Sequence, residues 1–375
     1  MNILKKSLDL FDQENSYAVD TEGIKYAGSK LKLLPHILMM TAQIQPRTVL
    51  DGFSGTTRVS QAFAQNGYNV VSSDISVWSE IFATCYLLGE ERYKYNDLIL
   101  HLNNVESYDG WFTEHYGGDS NSAEKRLWQY HNTRKLDGIR TEIDRLNLDK
   151  VEKAIALTSL ILALDRVDNT IGHFTSYLKN WSSRSYNKLL LKVPKIIPSS
   201  NNLDHKILRS DIYNTAKSIV TDLAYLDPPY GSNNEKMPPS RVRYASYYHI
   251  WTTVILNDQP DLFGAANRRI DSRDKVAASV FEDFRKNEKG DFIAVTAIRK
   301  LLENVQAKNI ILSYSSGGRA TADSLLNVIN AVGKIIAVKE INYTKNVMSG
   351  MRWTNDWIPD IETKNIEYLF LIKKS

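Results

Sequence analysis

The feature that most constrains the fold is a rhythm that stops and later resumes. Thr48 to Phe53 (TVLDGF) reads as a buried strand running into a turn and then a helix, RVSQAFAQNG, closed by Gly67. Asn69 to Asp74 reads as a second short strand ending on an acid, followed by a helix, VWSEIFATCYLLG. From about Glu90 to Ser200 the pattern is mostly helical and the alternation is lost. It returns at Lys206, with a strand at Leu223–Asp227, three more at Asn309–Tyr314, Lys334–Asn342 and Ile366–Lys373, and helices near 275–304 and 319–331. Strands alternating with helices predict an open, mostly parallel α/β sheet with helices on both faces. Because the alternation is split, the sheet has to be assembled from residues 1–89 and 206–375, around an inserted helical domain of residues 90–205. A helix is also expected through LKLLPHILMMTAQ, capped by Ser29 and broken near its start by Pro35.

Composition narrows the class. With 43% hydrophobic and 24% charged residues in 375, the chain can bury a sizeable core and is not a disordered polymer. No apolar run approaches the roughly 20 residues a bilayer span needs. The opening MNILKKSLDLFDQEN lacks the pattern of a secretory signal. Cys85 is the single cysteine, which excludes an intramolecular disulfide or a thiolate-cluster metal site and fits a reducing cytoplasm. The net charge of +4 is too small to demonstrate a nucleic-acid partner, but it is uneven. Between Arg166 and Ser210 stand eight basic residues, among them Lys179, Arg184, Lys188 and Lys192, against Asp168 and Asp204. This +6 stretch interleaves Phe174, Tyr177, Trp181 and Tyr186. Basic side chains neutralise phosphates and aromatic faces stack on exposed bases, although a solvated basic face on a helix pair has the same composition.

Four clusters carry chemistry. In VLDGFSGTTRVSQAF, Asp51, Phe53, Ser54, Gly55 and Thr56 sit at the carboxyl end of a strand, where doubly wound sheets bind ligands. The turn lacks GxGxxG and Gly-Lys-Ser/Thr, so a phosphate-gripping loop is not indicated. Asp74, at the tip of the next strand, is placed to accept ribose hydroxyls or to cap the following helix. In LAYLDPPYGS, Asp227, Pro228, Pro229 and Tyr230 follow a strand directly. Two prolines stiffen that turn and remove two donors, so a carboxylate and a carbonyl can face one amino group as paired acceptors beside an aromatic ring. The fourth cluster, IKYAGSKLKLLPHI, places Tyr26 and Lys30 around a Gly-Ser turn entering a helix.

The order of these clusters resembles the alpha class of adenine-specific DNA methyltransferases, the group containing the bacterial and phage GATC methylases. A KYxGSK-like segment (Lys25 to Lys30) precedes a DxFxGTxxV-like turn (Asp51 to Val59), then the acid-tipped strand at Asp74, an insertion, and the DPPY tetrapeptide. Ser210-Asp211-Ile212 is similar to the family segment that contacts the cofactor adenine. Thr57 departs from the family, many of whose members have glycine there, and crowds the turn. The resemblance implies a Rossmann-like methyltransferase sheet, S-adenosylmethionine as cofactor and double-stranded DNA as substrate, with the insertion as target-recognition domain.

It also implies roles. Asp227 and the Pro228 carbonyl accept the N6 hydrogens of a flipped adenine, and Tyr230 stacks on the base. Phe53, Asp74 and Asp211 hold the adenosine, and Tyr26 and Lys30 line the cofactor's amino-acid end or the base pocket. Lys179, Arg184, Lys188, Lys192, Arg241 and Arg243 meet DNA, with Arg268, Arg269 and Arg273 in the same later region. No metal is required. A separate restriction endonuclease, a cytoplasmic location and a monomer or weak dimer are the corresponding expectations. Methylation of cytosine N4, RNA adenine or protein glutamine is the nearest alternative, disfavoured by an Asp at the first DPPY position. A DNA-binding protein on a decayed methyltransferase fold is another, disfavoured by the intact tetrapeptide.

Overall fold

The computed structural model describes residues 19–119, 126–197, 203–231, 244–273, 277–283, 285–343 and 365–375. Seven strands form one sheet: β1 (Thr48–Asp51), β2 (Asn69–Asp74), β3 (Lys206–Arg209), β4 (Val220–Leu226), β5 (Gln306–Ser315), β6 (Gly333–Tyr343) and β7 (Asn365–Lys374). Their spatial order is 3-2-1-4-5-7-6. β3, β2, β1, β4 and β5 pair in parallel, and β7 pairs antiparallel with both β5 and β6. The expected sheet is therefore present, built from both sides of the insertion.

The strands read as continuous apolar runs because helices cover both faces. Side chains alternate between those faces with a period of two. Val49, Leu223, Tyr225, Ile311, Leu369 and Leu371 pack on one face with α1 (Leu34–Ile44) and α2 (Arg58–Gln65). Leu50, Ala224, Leu226, Ile310, Leu312 and Phe370 pack on the other with α8 (Ile212–Ser218), α11 (Ile293–Asn304) and α12 (Ala322–Val332). Each fully buried Val, Leu, Ile or Phe among them contributes about 1.5–3 kcal/mol. A one-residue slip in any central strand would exchange the two sets.

A third core belongs to the helical block. α3 (Val77–Leu88) turns Ala83 and Leu87 to the sheet and Trp78, Phe82 and Tyr86 to this block. There it meets α4 (Asn96–Asn104), α5 (Trp111–Tyr116), α6 (Tyr130–Arg145) and α7 (Lys150–Val167). α7 opens with a capping box, Asp149 accepting from the Val151 and Glu152 amides while Glu152 accepts from Asp149. It is buried along most of its length, as befits a helix that is apolar all round. The block also takes in α9 (Tyr244–Tyr247) and α10 (His249–Leu256), from beyond the DPPY turn. Arg140, 2% exposed, fastens α10 by donating to the carbonyls of Val254 and Ile255 at 2.7 and 3.0 Å.

Local expectations differ from the structure in four places. Pro35 does not break α1 but stands in its first turn, where a missing N–H costs nothing, and Ser29 does not cap it. The stretch after α7 is not a helix pair: between Asp168 and Ile197 the chain is irregular apart from one 3-10 turn at Ser183–Tyr186. Gly172, Pro194 and repeated Ser and Asn punctuate it. The expected helix at 275–304 begins only at Ile293, because Lys-Asn-Glu-Lys-Gly-Asp before it forms a turn. The strand expected through Phe53 ends at Asp51, where the turn takes over. No helix among the described residues is long and apolar enough to cross a membrane.

Candidate active site

The chain runs from β1 outward to β2 and β3, then crosses back to β4 and on to β5. Direction reverses between β1 and β4, the place where open α/β sheets form a crevice at their carboxyl ends. The carboxyl end of β1 carries Gly52 to Thr57, and that of β4 carries Asp227 to Tyr230. Between them lies a cavity of about 660 Å³, within the roughly 300–1,000 Å³ usual for small-molecule sites. Tyr26, Lys30, Phe53, Ser54, Gly55 and Thr56 line it, as do Asp74, Asp211, Ile212 and all four residues of the tetrapeptide. The four sequence clusters thus converge on one cleft.

The β1 turn is held by backbone geometry. The Gly52 amide donates to the Tyr225 carbonyl at 2.9 Å, and a Cβ on Gly52 would stand 2.7 Å from a Leu226 methyl. Gly55 has φ +47° and Thr57 φ +62°. The left-handed conformation costs a β-branched residue about 1–2 kcal/mol, so Thr57 carries the strain a glycine would avoid. Asp51 is the exception among the expected cofactor contacts. It is 1% exposed and does not line the cavity. One oxygen accepts from Ser60 at 2.6 Å and the other has no hydrogen-bond partner among the described residues. Burial, reinforced by the charges of Asp227 and Asp74, pushes its pKa up to about 7 against the Ser60 bond.

Asp74 ties the turn to β2. Its Oδ2 accepts from the Gly55 amide at 2.9 Å, and its Oδ1 from the Ser76 amide and hydroxyl at 2.8 and 2.6 Å. Each carboxylate oxygen has two lone pairs, so Oδ2 keeps acceptor capacity. Next to it Ile75 is 69% exposed while lining the cavity. Phe53 meets Phe281 edge-on at 5.3 Å, and Phe281 stacks on Tyr213 at 5.7 Å. These groups make an apolar slot beside two acids, Asp74 and Asp211, the latter capping α8 through the Tyr213 amide at 2.9 Å. Ile75 and Phe281 were not expected; the legible signal was a large apolar residue immediately after a strand-end acid.

The other lining group centres on the tetrapeptide. Asp227 Oδ1 accepts from the Tyr230 hydroxyl at 2.5 Å and lies 3.1 Å from Lys30 Nζ. Lys30 Nζ also reaches Glu367 Oε1 at 2.8 Å and the Tyr230 hydroxyl. Glu367, on β7, further accepts from Ser313 Oγ at 2.9 Å and lies within hydrogen-bond reach of the Tyr230 hydroxyl. The Lys30 and Glu367 side chains are each 8% exposed and that of Asp227 17%, so Asp227 is the most exposed of the three. Burial raises the Asp227 pKa to about 6; Lys30 pulls it down and Glu367 pushes it up. Burial lowers the Lys30 pKa, but the carboxylates of Asp227 and Glu367 outweigh it and hold the ammonium above its ordinary value. Tyr26 stacks on Tyr248 at 4.6 Å and Tyr244 at 5.2 Å, an aromatic wall that only the structure reveals.

The expected DNA contacts divide. Lys179, Lys188 and Lys192 are exposed. Arg184 is not free: it donates to the fully buried Asp168 carboxylate at 2.6 and 2.9 Å, which Lys25 also meets at 2.8 Å. Arg269 is likewise held by Asp258 and Asp271 at 2.8 and 2.6 Å. Arg241 and Arg243 lie outside the described residues. Arg184→Ala is therefore expected to cost about 1–3 kcal/mol of stability, since it strips one cation from a buried carboxylate. Lys188→Ala should change stability by less than about 0.5 kcal/mol. Urea unfolding of both variants checks this contrast.

Residues 26–310 match the family described as D12 class N6 adenine-specific DNA methyltransferase. The chain belongs to this family. Among relatives, Modification methylase StsI of Streptococcus sanguinis is 30% identical over 343 residues, covering 86% of this chain and 48% of StsI. Modification methylase LlaI of Lactococcus lactis subsp. lactis is 26% identical, covering 85% of this chain and 51% of LlaI. Type II methyltransferase M.NlaIII of Neisseria lactamica is 24% identical, covering 83% and 89%. The chain spans about half the length of the first two.

Membership of the D12 class implies S-adenosylmethionine as methyl donor. The cleft of this D12 class chain fits that molecule on its own chemistry. A closely approachable turn at Gly52–Gly55, an apolar slot for a flat ring and strand-end acids for hydroxyls all border one cavity.

Proposed function

We propose that this chain transfers a methyl group to the N6 amine of adenine within a short sequence of double-stranded DNA. The observation that carries this reading is the state of Asp227. Its Oδ1 is held by Tyr230 and Lys30, while no hydrogen bond from a described residue reaches its Oδ2. A carboxylate fixed by one oxygen can offer the other to an amine. Asp227 Oδ2 and the Pro228 carbonyl then accept the two N–H groups of the adenine amine, which favours a pyramidal nitrogen with a free lone pair. Such catalysis rests on positioning and preorganised charge rather than on prior proton removal. Bound S-adenosylmethionine supplies an electrophilic methyl group on a sulfonium.

The remaining roles follow from position. Phe53, Ile75 and Phe281 clasp the adenosine ring, Asp74 accepts ribose hydroxyls, and Tyr26, Lys30, Ser54, Gly55 and Thr56 surround the amino-acid end. Asp211 and Ile212 border the adenine. Asp51 supports the turn from beneath. The base leaves the duplex to enter the cleft, and the Tyr230 ring stacks on it. Residues 90–205 act as the target-recognition domain, with Lys179, Lys188 and Lys192 on phosphates; replacing one of them is expected to reduce the salt slope of DNA binding by about 1. A separate endonuclease of a restriction–modification system is the proposed functional partner, in keeping with the modification methylases among the relatives.

Single-molecule sequencing of plasmid from cells expressing the chain tests the reading. Modified adenine at one short motif is the expected result. Modified cytosine alone, or no modification, would refute it.

A further inference from the structure

Glu367 has no place in the roles above, yet it meets two of the side chains that line the cleft, Lys30 and Tyr230. It projects from β7, 6% exposed, into a cluster drawn from four distant segments. Its Oε1 accepts from Lys30 Nζ at 2.8 Å and from Ser313 Oγ at 2.9 Å, and lies against the Tyr230 hydroxyl. Lys30 and Tyr230 are also the two groups that meet Asp227 Oδ1. The phenol has a single proton and two carboxylates within its range. Glu367 already has the ammonium and the Ser313 hydroxyl, so the phenolic proton is left for Asp227.

We propose that Glu367 is a positioning residue, which holds Lys30 and the Tyr230 hydroxyl on Asp227 Oδ1 and so leaves Oδ2 for the acceptor amine. The inference rests on the proposed role of Asp227. A lone Lys30–Asp227 pair could swing, because an ammonium is a point charge on a flexible stem. With Glu367 also bonded to it at 2.8 Å, the Lys30 ammonium is held by two carboxylates. The second carboxylate also sets the charge at Asp227. That group is faced by Lys30 from the segment preceding α1, Glu367 from β7, Tyr230 from its own turn, Asp51 from β1, Tyr225 from β4, and Tyr26 and Tyr244 from the aromatic wall. Among these, Glu367 is the acid that touches both groups bonded to Asp227.

Glu367→Gln keeps an acceptor oxygen and the side-chain volume but removes the charge; Glu367→Ala removes both. The expected result is a kcat lower by about 10-fold in the glutamine variant and about 100-fold in the alanine variant, with KM for DNA unchanged. Because Glu367 raises the Asp227 pKa, its loss lowers it, and the acid limb of the rate profile moves to lower pH in Glu367→Gln. A merely structural residue would leave that limb in place. The same shift is read without DNA by titrating the Asp227 carboxyl, assigned through Asp227→Asn, in carbon-13-labelled protein. Wild-type kcat in both variants, or an unmoved Asp227 titration, overturns the role of Glu367. A wild-type chain that methylates no adenine instead overturns the activity proposed above, whatever the titration shows.

Discussion

Asp227→Ala is expected to abolish adenine methylation, lowering kcat by at least about 1,000-fold while the fold and cofactor affinity persist. The loss is large because the acceptor that prepares the amine is removed and nothing nearby replaces it. Glu367 lies behind Lys30, and Asp74 sits at the tip of β2 engaged with Gly55 and Ser76. The fold survives because Lys30 keeps Glu367 as a partner, so no buried ammonium is left unpaired. The activity also has a pH signature. Asp227 must be ionised to accept an N–H, and its pKa stands at about 6, so the rate should fall as pH drops through that value. Single-turnover assays from pH 5 to about 9 would show it. Methylation by the alanine variant within tenfold of wild type would remove Asp227 from the reaction.

The second large effect concerns the cofactor. Asp74→Ala should weaken binding of S-adenosylhomocysteine by about 30- to 100-fold, the equivalent of losing about 2–3 kcal/mol in a charge-assisted hydrogen bond. Two contributions coincide: the acceptor for the ribose disappears, and the Gly55 amide loses its anchor. Ile75→Ala separates them, because it leaves the turn bonded and removes only apolar cover. About a 10-fold loss is expected there, in proportion to the area no longer buried. Calorimetric titration distinguishes the two variants. Affinities within threefold of wild type for both would mean that the slot beside Phe53 does not hold the adenosine.

Much of this cleft is legible in the sequence. The small-residue turn after β1, the strand-end acid and the tetrapeptide are each local features, written within a few residues of one strand end. The parallel sheet brings them together because β1 and β4 are its central neighbours, and the split alternation already required that sheet. What stayed hidden depends on contacts between distant segments. Glu367 lies 137 residues beyond Tyr230 and is marked by nothing in its own strand, where an acid amid apolar residues reads as solvent-facing. Tyr244, on α9, and Tyr248, in the turn between α9 and α10, stack on Tyr26 from the opposite side of the insertion. Arg184 counted toward a basic surface until Asp168 was found buried beneath it, since net charge along a stretch does not show which charges are already paired. The irregular course of residues 168–197 was missed for a related reason: apolar and basic residues there suit a helix, but buried hydrogen bonds around Asp168 and Asn169 hold an extended chain instead.

The most direct test of the central claim is chemical. Purified protein is incubated with S-adenosylmethionine carrying a deuterated methyl group and with mixed-sequence duplex DNA, and the digested nucleosides are read by mass spectrometry. Labelled N6-methyladenine with the wild-type chain, and none with Asp227→Ala, is the predicted outcome. Labelled N4-methylcytosine, or N6-methyladenine formed equally by both proteins, would contradict it.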